Sequence, residues 1–477
     1  MEMNKPLLFI GGDLSGIQKF IYNISSKKAM VSLKGRSAYL SGYTDRLCHG
    51  ILDIALVQNS TTKDVVYCSG GKFYLIVEDQ PAIRNAVDSY YAEQEEKLWA
   101  EHRGQLGLAI AYIPFIAKDN GGVIIEGIEY ETIGELWKQI TQKFSSLKNK
   151  KFSSLLLDKY DEFFDVILEG GETKVCAITG IEDQQCVKID NDSDGNEIWV
   201  LPSVKNQVEL GKKIRATEGF KTLEEYADGS YIGILRMDVD GLGARFVKGF
   251  KTFDEYSYFS QKLSSFFDKQ LKLIQSRFKN YLNIVYAGGD DLFAVGRWDK
   301  IIDFAEEVHR EFDSYMTGES LSISGGIAIV SDKYPISKSA ELSGEAERSA
   351  KEYRNSKKNA LAFLGECTSW EREFGQVRQM MEEFVSQINK NRVPKGLLQQ
   401  LMRYAELALN DRNISYIWHE TYYLTRQIDR CEKGNVAARN FLSRLRKEGL
   451  TKTKEDYRLL ALASRWAELK LRTYNNS

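Results

Sequence analysis

The chain is 477 residues long, 43% hydrophobic and 12% aromatic, with 65 Lys+Arg against 67 Asp+Glu and a formal net charge of −2. That length predicts about three domains, the 7 Trp, 25 Tyr and 23 Phe exclude large-scale disorder, and the near-neutral balance excludes a polyanion-coating protein. Six scattered cysteines (48, 68, 176, 186, 367 and 431) suit a reducing cytoplasm better than a disulfide framework, and 6 prolines leave little room for Pro-rich linkers.

In chain order, LLFIGGDLSGIQKFI reads as a strand and its exit through Asp13, Ser15, Gly16 and Ile17. A helix is predicted from about Ser37 to Leu56, then a hairpin, VVYCSGGKFYLIV, turning at Gly70-Gly71, and another helix after Pro81. LGLAIAYI is the next strand; the apolar stretch around it, Leu106–Ala117, contains Pro114 and is too short to span a bilayer. Residues 150–225 look irregular, and ETKVCAITGIEDQQCVKIDNDSDGNE reads as a polar linker domain.

The order then repeats. YIGILRMDVDGLGARFV is a strand ending at Asp238-Val239-Asp240, and a helix pattern runs from Phe253 to Phe278, with Thr252 and Glu255 at capping-box spacing. LNIVYAGGDDLFAVG is a hairpin turning at Gly288-Gly289. A helix through Ile301, Ala305, Val308 and Phe312 and the strand SLSISGGIAIV complete a second β-α-β-β-α-β unit. From Thr368 on, helix patterns dominate. The fold class is therefore α+β: two ferredoxin-like (βαββαβ) palm domains at 1–148 and 227–367, a small linker domain at 149–226, and an all-α C-terminal bundle at 368–477.

The second copy places carboxylates on two neighbouring devices, Asp238 and Asp240 at a strand end and Asp290 and Asp291 after a Gly-Gly turn. Converging carboxylates are costly unless a divalent cation neutralises them, and hard oxygen donors suit Mg²⁺ or Mn²⁺. Aligning Gly70-Gly71 with Gly288-Gly289 and Asp13 with Asp238 sets Lys72-Phe73 on Asp290-Asp291 and Ser15 on Asp240, so the first copy keeps the glycines and lacks most ligands. It is either half of a paired nucleotide site or a structural pseudo-domain. No G-x-x-x-x-G-K-[ST] and no H-E-x-x-H occurs.

Together, GDLSGIQKFIYNISSKKA, the SGGKF hairpin, MDVDGLG and AGGDD resemble the large polymerase/cyclase (palm-domain) subunit of type III CRISPR effector complexes, of the Csm type. The resemblance covers essentially the whole chain. It implies a target-RNA-activated nucleotidyltransferase that makes a cyclic oligoadenylate second messenger from ATP. It also implies catalytic Asp290 and Asp291, with Asp238 as the strand-end metal ligand; the convergence of carboxylates adds Asp240, so that Asp238, Asp240, Asp290 and Asp291 are the expected metal ligands. Close backbone approach at glycines places the expected nucleotide contacts on Ser15, Gly16, Ile17, Gly70, Gly71, Gly241, Gly288 and Gly289. The palm is similar to diguanylate cyclases too, whose A-K…N stretch corresponds to Ala350-Lys351 and Lys358-Asn359. Lys351 is thereby assigned to the triphosphate, the alternative being a solvated helix lysine. The expected partners are guide RNA, target RNA, and the backbone and small helical subunits of the complex.

Two departures stand out. Many members begin with an HD-type nuclease domain, whereas no His-Asp dipeptide occurs here, so no DNase activity is expected. Many also hold zinc on two C-x-x-C pairs in the linker; Cys176-Ala-Ile-Thr179 and Leu201-Pro-Ser-Val204 retain one cysteine between them, and no zinc is expected. Two further readings stay open: the same site joining ATP to S-adenosylmethionine, and a non-catalytic scaffold. Residues 368–477 carry 20 Lys+Arg against 13 Asp+Glu, and 439–472 carry 10 against 4. That excess is expected to meet RNA phosphate or a neighbouring subunit, the bland alternative being solvated helix faces.

Overall fold

A computed structural model describes residues 5–25, 28–118, 121–158, 160, 173–191, 195–390, 392–410, 415–432, 435–449 and 451–473. Two six-stranded sheets organise it. The first contains β1 (Pro6–Ser15), β2 (Lys63–Ser69), β3 (Lys72–Glu78), β4 (Gly107–Ala117), β5 (Val123–Ile125) and β6 (Ile128–Tyr130), in the order β2-β3-β1-β4-β5-β6. The linker adds two small two-stranded sheets, β7 (Lys174–Val175) with β8 (Glu182–Asp183) and β9 (Val187–Asn191) with β10 (Glu197–Val200). The second large sheet holds β11 (Tyr231–Val239), β12 (Leu282–Gly288), β13 (Asp291–Arg297), β14 (Ile323–Ser331), β15 (Ala360–Phe363) and β16 (Glu366–Ser369), in the order β12-β13-β11-β14-β15-β16. The first four strands of each sheet thus share one antiparallel topology, as two copies of a split βαβ unit require.

Both faces of each sheet are covered, and the strands read accordingly as near-continuous apolar runs. Along β1, Leu7 and Phe9 enter one core while Leu8 and Ile10 enter the other. Neither core belongs to one palm: Phe9 and Tyr74 share a cluster with Met237 and Tyr256, and Ile10 and Phe20 share the other with Ile234 and Phe293. Rings lock the palms directly, with Trp137 on Tyr256 at 4.1 Å and Tyr22 on Phe293 at 4.3 Å between centroids.

The helices follow their local signals, with informative differences. Thr252 Oγ1 accepts the Glu255 N–H and caps Phe253–Ser265, but the Glu255 carboxylate accepts from the Lys251 N–H, so only half a capping box forms. The helix widens to a π-turn over Phe266–Gln270 before continuing as Leu271–Arg277, which lets the adjacent Phe266 and Phe267 both bury. The first-palm helix starts at Ala29 rather than near Ser37 and runs to Val57.

The linker is more ordered than its composition suggests. Helix Pro202–Glu218 begins with proline at its first turn and ends on Gly219 at φ 69°, the usual Pro-in, Gly-out punctuation. It lies so close to helix Ala29–Val57 that a Cβ on Gly35 would stand 1.8 Å from the Gln207 carbonyl oxygen. Residues 159, 161–172 and 192–194 of the predicted linker domain lie outside the described residues. Cys176 and Cys186 are both buried within it.

Five helices, Gly375–Asn389, Gly396–Asn410, Ser415–Arg430, Val436–Gly449 and Lys454–Thr473, form the C-terminal bundle. The boundary read from sequence at 367/368 cuts through β16, which pairs with β15 inside the palm sheet. The cause is packing: Phe363, Trp370, Phe374 and Trp466 belong to one continuous core. Most cations of the 439–472 stretch are engaged within the chain. Arg444 meets Glu383, Lys452 the buried Glu420, Arg458 Glu455, and Arg472 Glu468, while Arg465 donates to the Leu364 carbonyl. These contacts tie part of the localised positive charge to groups of the chain itself. No helix among the described residues is long and apolar enough to cross a membrane.

Candidate active site

Asp238 is the penultimate residue of β11, and Asp291 opens β13 directly opposite it. Asp290 occupies the turn between β12 and β13, pinned through its backbone: its N–H donates to Gly288 O at 2.7 Å and its carbonyl accepts the Val239 N–H at 2.9 Å. Gly289 precedes it at φ 68°, a conformation that side chains other than glycine rarely adopt. Strand pairing and one tight turn thus gather Asp238, Asp290 and Asp291 at the palm's tip.

Asp240 is not among them. Its Oδ2 accepts from Ser322 Oγ at 2.7 Å, Ser324 Oγ at 2.8 Å and the Asn359 N–H at 3.1 Å. Asn359 Oδ1 in turn lies 2.9 Å from Nε2 of His309, which stacks on Trp370. Although only two residues from Asp238, Asp240 follows the end of the strand and turns to β14, away from the hairpin. Its Oδ2 fixes the sheet, while its Oδ1 is buried with no hydrogen-bond partner.

Lys351, expected to meet the triphosphate, stands at the edge of the carboxylate cluster. Its ammonium forms a close ion pair with Asp238 and lies 3.2 Å from Glu347, which meets Arg236 at 3.5 Å. Arg236 and Glu347 were not singled out in the sequence, although their spacing was legible. Arg236 is two residues before Asp238, on the same strand face, and Glu347 is four before Lys351 on one helix.

The helix that carries Lys351, Ile336–Ser356, unwinds at its end. Arg354 and Asn355 adopt φ 50° and 58°, and Lys358 and Asn359 φ 59° and 51°. Left-handed backbone costs about 1 kcal/mol or more per non-glycine residue. The C-terminal bundle holds it in place: Arg354 pairs with Glu373, the Tyr353 hydroxyl lies 3.0 Å from Glu373 and 3.2 Å from Glu455, and Arg458 donates to Tyr353 Oη at 2.6 Å.

The two hairpins meet. Gly289 N–H donates to Ser69 Oγ at 3.1 Å, and a Cβ on Gly70 would lie 3.0 Å from Gly288 O. Strand register corrects the alignment of the copies by one residue. Asp13 pairs with Lys72 as Asp238 pairs with Asp291, and Ser69 with Lys72 as Gly288 with Asp291. Lys72 therefore occupies the place of Asp291, and Gly71 that of Asp290; matching the visible Gly-Gly pairs had hidden this. Asp13 pairs with Lys148 at 2.6 Å.

Of the remaining nucleotide candidates, Gly241 at φ 73° has open space where a Cβ would be, whereas a Cβ on its counterpart Gly16 would stand 2.4 Å from Gln105 O. Ser15 Oγ donates to Gly107 O at 3.3 Å, and Ile17 packs beneath Gly71. Ser15 and Ile17 are thus taken up by the first palm's own packing.

Burial, then the Asp290 charge, pushes the Asp238 carboxyl up to about 7, with Lys351 pulling the other way. Burial, Asp290 and Asp238 push Asp291 well above the usual carboxylate range, and burial raises Asp290 while Lys72 and Lys351 oppose it. Asp291 Oδ1 is buried with no hydrogen-bond partner. Among the described residues no three side chains already stand as a metal-ligating group, with the Lys351 ammonium seated on Asp238. An orphaned oxygen and mutually repelling hard donors nonetheless fit a divalent cation.

This electrostatics has a testable sign. Below about pH 4 Asp238 is neutral both folded and unfolded; as pH rises to about 7 only the unfolded chain ionises, so folding loses stability across that window. At about 1.4 kcal/mol per unit the loss is at most about 4 kcal/mol. His102, held down at about 4 by burial, works in the opposite sense, so the informative quantity is a difference. The unfolding free energy of the wild type minus that of Asp238→Asn is expected to fall between pH 4 and 7 without divalent cation. A difference that stays flat over this range would contradict the site electrostatics.

Residues 231–362 match the family model "Cas10/Cmr2, second palm domain", and residues 6–167 match "Csm1 subunit domain B". The chain is 30% identical over 426 residues to a CRISPR system single-strand-specific deoxyribonuclease Cas10/Csm1 (subtype III-A) of Enterococcus italicus, covering 75% of this chain and 53% of that protein. The Streptococcus thermophilus protein of the same description is 28% identical over 432 residues, covering 76% and 54%. The chain thus spans about half the length of the curated relatives it matches. Among solved structures, the apo Csm1-Csm4 cassette superposes with TM-score 0.69 at 20% identity, over 98% of this chain and 70% of that one. The cassette in complex with pppApApA gives 0.68 at 20% identity over 98% and 69%, and that with cA3 gives 0.66 at 19% over 97% and 70%. At these identities the superpositions establish the two-palm fold.

Proposed function

The chain belongs to the Cas10/Csm1 family of type III-A CRISPR complex subunits, and from that premise we propose that its second palm joins ATP units into a cyclic oligoadenylate with release of pyrophosphate. The observation that supports this most is the gathering of Asp238, Asp290 and Asp291 at a hairpin docked on the first palm. The cassettes of the same fold crystallised with pppApApA and cA3 lend it chemical direction.

Mg²⁺ or Mn²⁺, held by Asp238, Asp290 and Asp291, would supply Lewis-acid activation of a 3′-hydroxyl and charge neutralisation at the leaving pyrophosphate. The chain's own residues do the positioning. Glu347, anchored by Arg236, holds Lys351 at the cluster's edge. The four-carbon stem of Lys351 allows its ammonium to exchange Asp238 for a phosphate oxygen. The open backbone at Gly241 leaves room for a nucleotide to approach.

The reading extends to assembly. Guide RNA, target RNA, and the backbone and small helical subunits are the proposed partners, as the Csm1-Csm4 pairing of the fold neighbours suggests. The proposal concerns nucleotidyl transfer alone; "deoxyribonuclease" is the name of the longer relatives. The test is mass spectrometry of products from the assembled complex given target RNA, ATP and Mg²⁺, with and without S-adenosylmethionine. Oligoadenylate and pyrophosphate are expected in both arms. A product formed only with S-adenosylmethionine would replace the acceptor, and no product in either arm would leave a scaffold.

A further inference from the structure

The first palm carries a cation where the second carries a carboxylate. Lys72 pairs across the sheet with Asp13 as Asp291 pairs with Asp238. Asp13 is already held by Lys148 at 2.6 Å, and Lys72 is exposed, with no ion pair or side-chain hydrogen bond among the described residues. Its position relative to the other palm is nevertheless fixed. Ser69 and Gly70, on the same hairpin, touch Gly289 and Gly288, with a 3.1 Å hydrogen bond and a backbone approach that would leave a Cβ on Gly70 only 3.0 Å from Gly288 O. A free ammonium is thus presented at the seam between the two hairpin tips.

We infer that Lys72 is a substrate-contacting residue supplied by the first palm, its ammonium binding the polyphosphate of a nucleotide held at the Asp238–Asp290–Asp291 tip. This rests on the nucleotidyltransferase reading of that tip and adds a role for the copy that lost its carboxylates. Three observations converge. The lysine takes a carboxylate's place in the register. The hairpin docking directs it to the partner palm, beside the turn that carries Asp290. It also lacks the pairing that would make it structural. A flexible point charge of this kind suits a triphosphate. A second carboxylate cluster here would repel the same group, which gives a physical reason for the asymmetry between the copies.

The test uses the full chain, with binding of the β,γ-imido analogue of ATP measured at saturating Mg²⁺, and Mn²⁺ binding measured separately. Lys72→Ala is expected to weaken analogue binding about 10- to 100-fold, as losing a charged hydrogen bond to phosphate does, and Lys72→Arg to stay within about threefold of wild type. Mn²⁺ affinity should change little. Unchanged analogue affinity in Lys72→Ala, together with tighter Mn²⁺ binding, would make the lysine a counterion of Asp290 and overturn the inference alone. A wild-type chain that does not bind the analogue would overturn both this inference and the reading of the site.

Discussion

Alanine at both Asp290 and Asp291 is expected to reduce nucleotide product by at least about a thousandfold and to leave the chain folded and no less stable. The first part follows from the donor set: these two carboxylates and Asp238 are the acidic groups gathered at the hairpin tip. The second part is less usual for buried residues. The hydrogen bonds that shape the turn, Asp290 N–H to Gly288 O and Val239 N–H to Asp290 O, are backbone bonds and survive the substitution. What disappears is a set of desolvated, mutually repelling carboxyls, one of whose oxygens has no partner. Thermal unfolding at pH 7.5 without divalent cation should therefore show a midpoint equal to or above that of the wild type. Added Mn²⁺ should raise the midpoint of the wild type alone. Product formation at the wild-type rate by the double variant would remove the site from these residues.

Removal of residues 368–477 is expected to unfold the second palm rather than to release an active pair of palms. Read from sequence, the helical region is a separable module; the packing says otherwise. The cut divides β16, strips Thr368 and Ser369 from their pairing with Leu361 and Ala360, and removes Trp370, whose indole N–H donates to Ile323 O at 3.1 Å. It also uncovers Phe363, which meets Trp466 at 5.2 Å. Burying side chains of this size contributes about 1.5–3 kcal/mol each, so losing Trp370, Phe374, Val377 and Trp466 removes on the order of 10 kcal/mol. A whole domain has only about 5–15 kcal/mol of net stability. The truncated chain should show no cooperative melt and should bind a hydrophobic dye. A sharp melt with full analogue affinity would show that the shared core is dispensable.

The same network constrains how the bundle can influence chemistry. Glu455 and Arg458, on the last helix, reach Tyr353 and Arg354 only a few residues from Lys351. The strained end of the Lys351 helix is thus held from the bundle through Tyr353 and Arg354 as well as from its own palm through Asn359.

Much of this protein is a local property and could be read as such. Short apolar runs marked the strands, three-four spacing marked helices such as the one after Thr252, and glycine pairs marked both hairpins. These signals recurred in the same order, so the duplication and the Asp238, Asp290 and Asp291 candidates were legible without coordinates. Helix Pro202–Glu218 was legible too, through Pro202 and Gly219, but was hidden by the polar stretch before it.

What the tertiary structure alone decided depends on pairing and burial between distant segments. Cross-strand hydrogen bonds, not glycine matching, set Lys72 opposite Asp13 and hence in the place of Asp291. Ser322 and Ser324, more than eighty residues away, hold one oxygen of Asp240 against β14. The bundle and palm became one body because Trp466 and Phe363 bury each other. A sequence displays which residues a strand or helix carries; which partner each residue meets is settled only when the sheets close and the cores are shared.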